Sequence, residues 1–295
     1  MSKSSILATT VLLAGCLAAA GSSVFAQGNQ NGQSGQNPPG QQPTTTNKDQ
    51  KPAESGSTLS VPSSPANAEE EAAVKEFQAM PSTDLAKKIA AGEEFLKKYP
   101  ESRYRPTVYS ALVVGYIQSG NPEKAFEIGE AEVALKPDDV QTMAILSQTL
   151  PRAMSASTPE PEKRLAKAET YAKRAIEITP TIPKPEGMAD QNFIAAKNET
   201  LTMAHSGLGL VYYRRGKYTE AIPELEQSVK IDPNPTPDPV NLYLLGMANQ
   251  KASHFEEAAN VFTKCAAIPG KLQTVCKNGA DEAKKQSSTQ LSAPK

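Results

Sequence analysis

From Ala68 onward, apolar side chains recur three and four residues apart, in stretches broken by Pro, Gly or Asn, which is the pattern of successive amphipathic helices. It is clearest between Ala204 and Pro233. Leu208, Gly209 and Tyr212 fall on one face of a first helix, and Gly216 stands where that helix needs a left-handed residue to end. Ala221, Leu225 and Ser228 share a face of a second helix, which Pro233 stops. The spacing predicts a helical hairpin in which Gly209 lets the two helices approach closely. A similar unit runs from Pro239 to Gly270, with Leu245, Gly246, Phe255, Ala258 and Phe262 at matching offsets, Asn249 in the place of Tyr212, and Cys265 at a small-residue position. An earlier one, Pro106 to Pro137, carries Tyr109, Leu112, Tyr116, Gly120 and Ala125, while Val113 and Gly129 are swapped in size.

The remaining stretches complete the series. Glu69 to Met80 and Leu85 to Pro100 are expected to form a first, weaker hairpin, with Ile89, Phe95 and Tyr99 on the apolar face of its second helix. Asp138–Leu150 and Glu160–Ile178 read as a third hairpin, interrupted by a loop over Pro151–Pro161. A second Pro-rich loop, Pro180–Gly187, precedes a long helix over Ala189–Arg215. Lys271–Lys285 is polar on one side, as a terminal capping helix must be, and residues 286–295 are expected to be a disordered tail.

These offsets, returning about every 34 residues, resemble the tetratricopeptide repeat. The resemblance covers residues 68–285 and is strongest over Ala204–Pro269. It implies an all-α fold, a right-handed α-solenoid of about five tetratricopeptide (TPR) helical hairpins plus a C-terminal capping helix, each burying its stripe against its neighbours. It also implies a protein that binds rather than catalyses, with the first helices lining a concave groove. Register places Thr107, Ser110, Val114, Ile117 and Gln118 there from one unit, Met203, Ser206, Leu210, Tyr213 and Arg214 from a second, and Val240, Tyr243, Met247, Gln250 and Lys251 from a third. The partner-binding set expected from these is Met203, Leu210, Tyr213, Arg214, Tyr243, Met247 and Lys251, because aromatic, thioether and arginine side chains anchor protein interfaces. Chaperone adaptors of the family hold a C-terminal carboxylate with Lys and Asn at set groove positions. Ser110, Val114, Ser206, Leu210, Tyr243 and Met247 occupy those positions here, so that clamp is absent. The phrase Phe95-Leu96-Lys97-Lys98-Tyr99-Pro100-Glu101-Ser102-Arg103-Tyr104 is similar to repeats of periplasmic assembly proteins, including outer-membrane barrel-assembly lipoproteins, and gives an alternative role as a lipid-anchored assembly factor.

The first 67 residues differ in kind. Lys3, the apolar run Ile6–Ala20 and the small-residue site Val24-Phe25-Ala26 read as an export signal over residues 1–26. Leu13-Ala14-Gly15-Cys16 fits a competing reading, a bacterial lipobox with lipidation at Cys16. Both place the mature chain outside the cytoplasm, either periplasmic or secreted, or held as an outer-membrane lipoprotein. Residues 27–67 are rich in Gln, Gly, Asn, Pro, Ser and Thr and have too little apolar surface to offset ordering, so a flexible linker is expected.

Charge and reactive side chains narrow the function further. A formal net charge of −1 over 295 residues gives no pull toward nucleic acid or acidic lipid, leaving Cys16 as the one membrane contact foreseen. His205 and His254 have no Ser or Asp partners at triad spacing, and no phosphate-cradling glycine loop is present. We therefore expect no enzyme, no small-molecule substrate, no metal and no cofactor. Glu69-Glu70-Glu71 reads as a charged first turn complementing a helix dipole. Cys265 and Cys276 flank the Pro269-Gly270 turn. In an oxidising compartment they can staple the capping helix to the last hairpin, or they can stand as two buried thiols.

Overall fold

The computed structural model describes residues 67–292 apart from Ser82, so the export-signal, Cys16 and linker readings lie outside the described residues. Among them the secondary structure is entirely helical. In chain order the helices are α1 (Ala68–Ala79), α2 (Leu85–Lys98), α3 (Arg105–Gln118), α4 (Pro122–Leu135), α5 (Val140–Ala153), α6 (Pro161–Ile178), α7 (Asp190–Arg214), α8 (Tyr218–Ile231), α9 (Pro239–Lys251), α10 (Phe255–Ala266) and α11 (Gln273–Ser292). Consecutive helices pair as hairpins and each hairpin packs on the next, with α11 laid along α10.

Local chemistry explains where the helices begin and turn. Side chains of Asn67, Asp84, Asn121, Asp139 and Asp238 accept from backbone N–H groups of the first turns of α1, α2, α4, α5 and α9. The turns inside three hairpins share one geometry. Lys217 N donates to Tyr212 O, Asn121 N to Tyr116 O and His254 N to Asn249 O, at 2.8–2.9 Å. Each turn pivots on a left-handed residue. Gly120 and Gly216 fill it at φ 76° and 74°, whereas the α9–α10 turn uses Ser253 at φ 64°.

The hairpins close through missing side chains. A Cβ on Gly209 would lie 2.6 Å from Leu225, and one on Gly246 would lie 2.6 Å from the Phe262 ring, so each glycine receives its partner helix's largest core residue. Gly129, whose small size stands out in the sequence, leaves room that Leu146 of α5 fills from the next hairpin. Cys265 and Cys276 are joined, with α-carbons 5.7 Å apart, and tie α10 to α11. Glu132 is wholly buried where α3, α4 and α5 meet. Its carboxylate accepts from Ser110 Oγ, and from Thr142 Oγ1 at 2.8 Å.

Two expected boundaries move. The loop expected over Pro151–Pro161 is shorter, because α5 continues through Pro151 to Ala153. Pro151 has no N–H to give the Ser147 carbonyl, and Gly207 brings the α7 backbone onto that same carbonyl instead. At the other end, α11 runs past Lys285 to Ser292. Residues beyond 285 find partners: Gln250 Nε2 donates to Gln286 Oε1 at 2.8 Å, and Thr289 Oγ1 bonds back to Lys285 O at 2.9 Å.

Candidate partner-binding groove

The expected groove residues divide sharply by environment. Tyr213 on α7 and Tyr243 on α9 are half-buried, with their outer edges in solvent. Tyr213 packs edge-on against Tyr218 of α8, ring centroids 5.4 Å apart, and Tyr243 leans on Phe262 at 6.0 Å. Burial, and then the neighbouring phenols of Tyr218 and Tyr243, push the Tyr213 hydroxyl above its usual range, and burial does the same to Tyr243. Both rings therefore stay neutral. Met247 is half-buried beside Ala258 and Phe262, while Arg214 and Lys251 are exposed. Met203 is half-buried against the cluster around Val140 and Met143.

Leu210 is a correction. It is 6% exposed and belongs to the core formed with Ala221, Leu244 and Leu245, so it offers a partner no surface. Ser206, mapped to the same face, is fully buried. Leu210 is covered by apolar residues of α8 and α9, and Ser206 by polar side chains reaching over from α5 and α9. On α3, Ser110 turns to Glu132, while Val114, 41% exposed, remains on the surface.

What covers Ser206 is a polar network absent from the expected site. Gln148 Nε2 and Arg152 Nη2, both from α5, reach Ser206 Oγ at 3.2 and 3.3 Å. Ser206 Oγ donates to Asn241 Oδ1 of α9 at 2.6 Å, and Asn241 Nδ2 donates to Ser228 Oγ of α8 at 3.0 Å. Arg152 Nη2 also approaches Asn241 Oδ1 at 3.4 Å, and the nearest carboxylate, Asp238, lies 4.0 Å away. Burial pushes the Arg152 guanidinium below its usual range, with Asp238 opposing, and burial lowers Arg214 as well. A helix stop at Pro151 would leave Arg152 in a loop; a helix running one further turn carries it across α7. Tyr218 is a groove neighbour that register does not reveal, because its place at the start of a second helix does not map to the groove.

The result is a helical-hairpin repeat protein with a face rich in phenols and guanidinium donors. Residues 203–235 match the family described as tetratricopeptide repeat. No curated protein matches the chain. Among solved structures, it is similar to a thermophilic TPR protein of Thermus thermophilus, at 18% identity over 72% of this chain and 98% of that one, TM-score 0.47. It is also similar to the type IV pilus biogenesis factor PilW, at 16% identity over 78% and 97%, TM-score 0.49. A third similarity is to MamA from Desulfovibrio magneticus, at 17% identity over 63% and 92%, TM-score 0.40.

Proposed function

We propose that the chain is a non-catalytic protein-interaction scaffold of the bacterial cell envelope, holding a peptide or a partner domain in its concave groove. The observation that carries this reading is the set Tyr213, Arg214, Tyr243, Met247 and Lys251, which α7 and α9 leave accessible in whole or in part. Rigid phenols offer large contact area at low entropic cost, and the guanidinium and ammonium add donors. The cell-envelope address rests on the export signal read in residues 1–26. Among the described residues no helix is long and apolar enough to cross a membrane.

The reading is tested by crosslinking pull-down from envelope extract with the full chain and with Tyr213→Ala/Arg214→Ala/Tyr243→Ala/Met247→Ala. Partners captured by the parent and lost by a variant with unchanged helicity are the expected result. Equal capture by both would move the interface off the groove.

A second reading, a lipid-anchored assembly factor, is favoured by Leu13-Ala14-Gly15-Cys16. It predicts acyl-label incorporation that Cys16→Ala abolishes, together with release of the chain from the membrane fraction. Unchanged fractionation of Cys16→Ala would remove it.

A further inference from the structure

We infer that the Cys265–Cys276 disulfide is a redox-sensitive latch for one end of the groove: its reduction loosens α11 and, through it, the wall against which Tyr243 and Met247 are set. What this does to a bound partner rests on the groove-binding reading above; the latch itself does not. The basis is how α11 is attached. Of its described side chains, Cys276, Ala280 and Ala283 are the buried ones. The other late helices bury large apolar residues in the stack: Leu225 from α8, Leu245 from α9 and Phe262 from α10. An Ala or Cys side chain removes far less apolar surface from water than a Leu or Phe. Neutral bonds such as those from Gln250 to Gln286 and from Gln273 Nε2 to Ala266 O, at 3.2 Å, add little net stability.

The covalent bond therefore supplies for α11 what burial supplies elsewhere. It joins cysteines 11 positions apart and so confines α11 to α10 by restricting the undocked chain. Both cysteines are wholly buried, whereas Ala267, Pro269, Gly270 and Lys271 in the connection between them are exposed. Exchange follows an opening of that connection. A dithiol reductant then attacks one sulfur to give a mixed disulfide, and its second thiol displaces the protein. Two electrons and two protons pass to the cysteine pair, which ends as two thiols, and the reductant leaves as a disulfide.

Phe262 connects the latch to the groove. It is wholly buried, and its ring meets a glycine from each neighbour: a Cβ on Gly246 of α9 would lie 2.6 Å from it, and one on Gly279 of α11 would lie 3.1 Å away. Tyr243 leans on that same ring, and Tyr243 and Met247 pack against the cluster that Ala280 and Ala283 of α11 complete. Tyr243 also joins the cluster around Leu242, Cys265 and Cys276. Loosening α11 uncovers one side of Phe262 and frees these two groove side chains to move. The effect is confined to this end, because α11 packs on α10 and α9.

The test is amide hydrogen exchange by mass spectrometry on the full chain, oxidised, reduced with dithiothreitol, and as Cys265→Ala/Cys276→Ala. A 3-fluorotyrosine placed at Tyr243, or at Tyr171 as a distant control, reports on the side chain by fluorine NMR. Expected is exchange of α11 amides about 100-fold faster in the reduced chain and in the variant, with α5 and α7 unchanged. The Tyr243 signal shifts on reduction and returns on reoxidation, while the Tyr171 signal stays. Equal protection of α11 with and without the bond would overturn the inference, as would a Tyr243 signal that stays in place while α11 loosens. Loss of protection throughout the chain would also overturn it, since the disulfide would then hold the whole fold rather than one helix. No readout uses a partner, so these failures stand apart from failure of the groove reading, which the pull-down scores.

Discussion

Gly207→Ala destabilises the chain by roughly 3 kcal/mol, lowering its melting temperature by about 10 °C. The added Cβ would lie 2.5 Å from Ser147 Oγ and 2.7 Å from both the carbonyl carbon and oxygen of Ser147. Two of those three atoms are backbone, on a helix held from both sides, so no rotamer change relieves the contact. Alanine gains about 1 kcal/mol in helix propensity over glycine, which the clash exceeds. The internal control is Gly209→Ala, whose Cβ meets chiefly the flexible Leu225 side chain, at 2.6 Å, and which is expected to cost less. Thermal and urea unfolding followed by circular dichroism check the order. Equal effects at the two glycines would mean that α5 and α7 are not in backbone contact at Ser147.

The second large effect is electrostatic. Desolvation pushes the buried Glu132 carboxyl up from 4.5 to about 7, with Asp139 adding repulsion and the hydroxyls of Ser110 and Thr142 acting in the opposite sense. The facing groups are Ser110 from α3, Thr142 from α5 and Asp139 at its cap, the last also paired with Lys136. A raised acid is protonated in the folded chain while the unfolded chain ionises. Its contribution is therefore full below pH 4.5 and is lost as pH rises through about 7. At 1.36 kcal/mol per pKa unit the loss is about 3 kcal/mol. Glu132→Gln keeps the shape and an acceptor while abolishing the titration. Its stability relative to the parent should rise by about that amount between pH 4 and pH 8, measured by urea unfolding. A constant difference across that range would show that Glu132 does not change protonation there.

Much of the architecture is legible in the spacing of a few residues. Leu208, Gly209 and Tyr212, followed by Gly216 and Ala221, specify a hairpin because each answers a local demand for burial, close approach or a left-handed turn. Where the demand is met by an unexpected residue, the pattern fades. Ser253 performs the turn that Gly120 and Gly216 perform elsewhere. Pro151 looks like a helix stop, yet α5 absorbs it because α7 supplies compensating contact at Ser147 through Gly207, 56 positions away by their numbers.

The groove is legible where it depends on the helix period and illegible where it depends on separation between helices. Tyr213, Tyr243 and Met247 keep an accessible edge, as their register places them. Leu210 shares that register but is covered once α9 packs against α7. Arg152 and Asn241 enter the site only because side chains from α5 and α9 meet over Ser206 of α7, a long-range contact that no single helix's pattern reveals.

The most direct test of the groove as docking surface uses the full chain carrying a photoactivatable residue at Tyr243, or on the exposed face of α8 at Glu226. Each is irradiated in envelope extract, and the adducts are identified by mass spectrometry. A shared protein partner captured from Tyr243, weakened by Tyr213→Ala/Arg214→Ala and absent from Glu226, is the predicted result. Adducts formed from Glu226 alone would contradict it and place the interface on the outer helices.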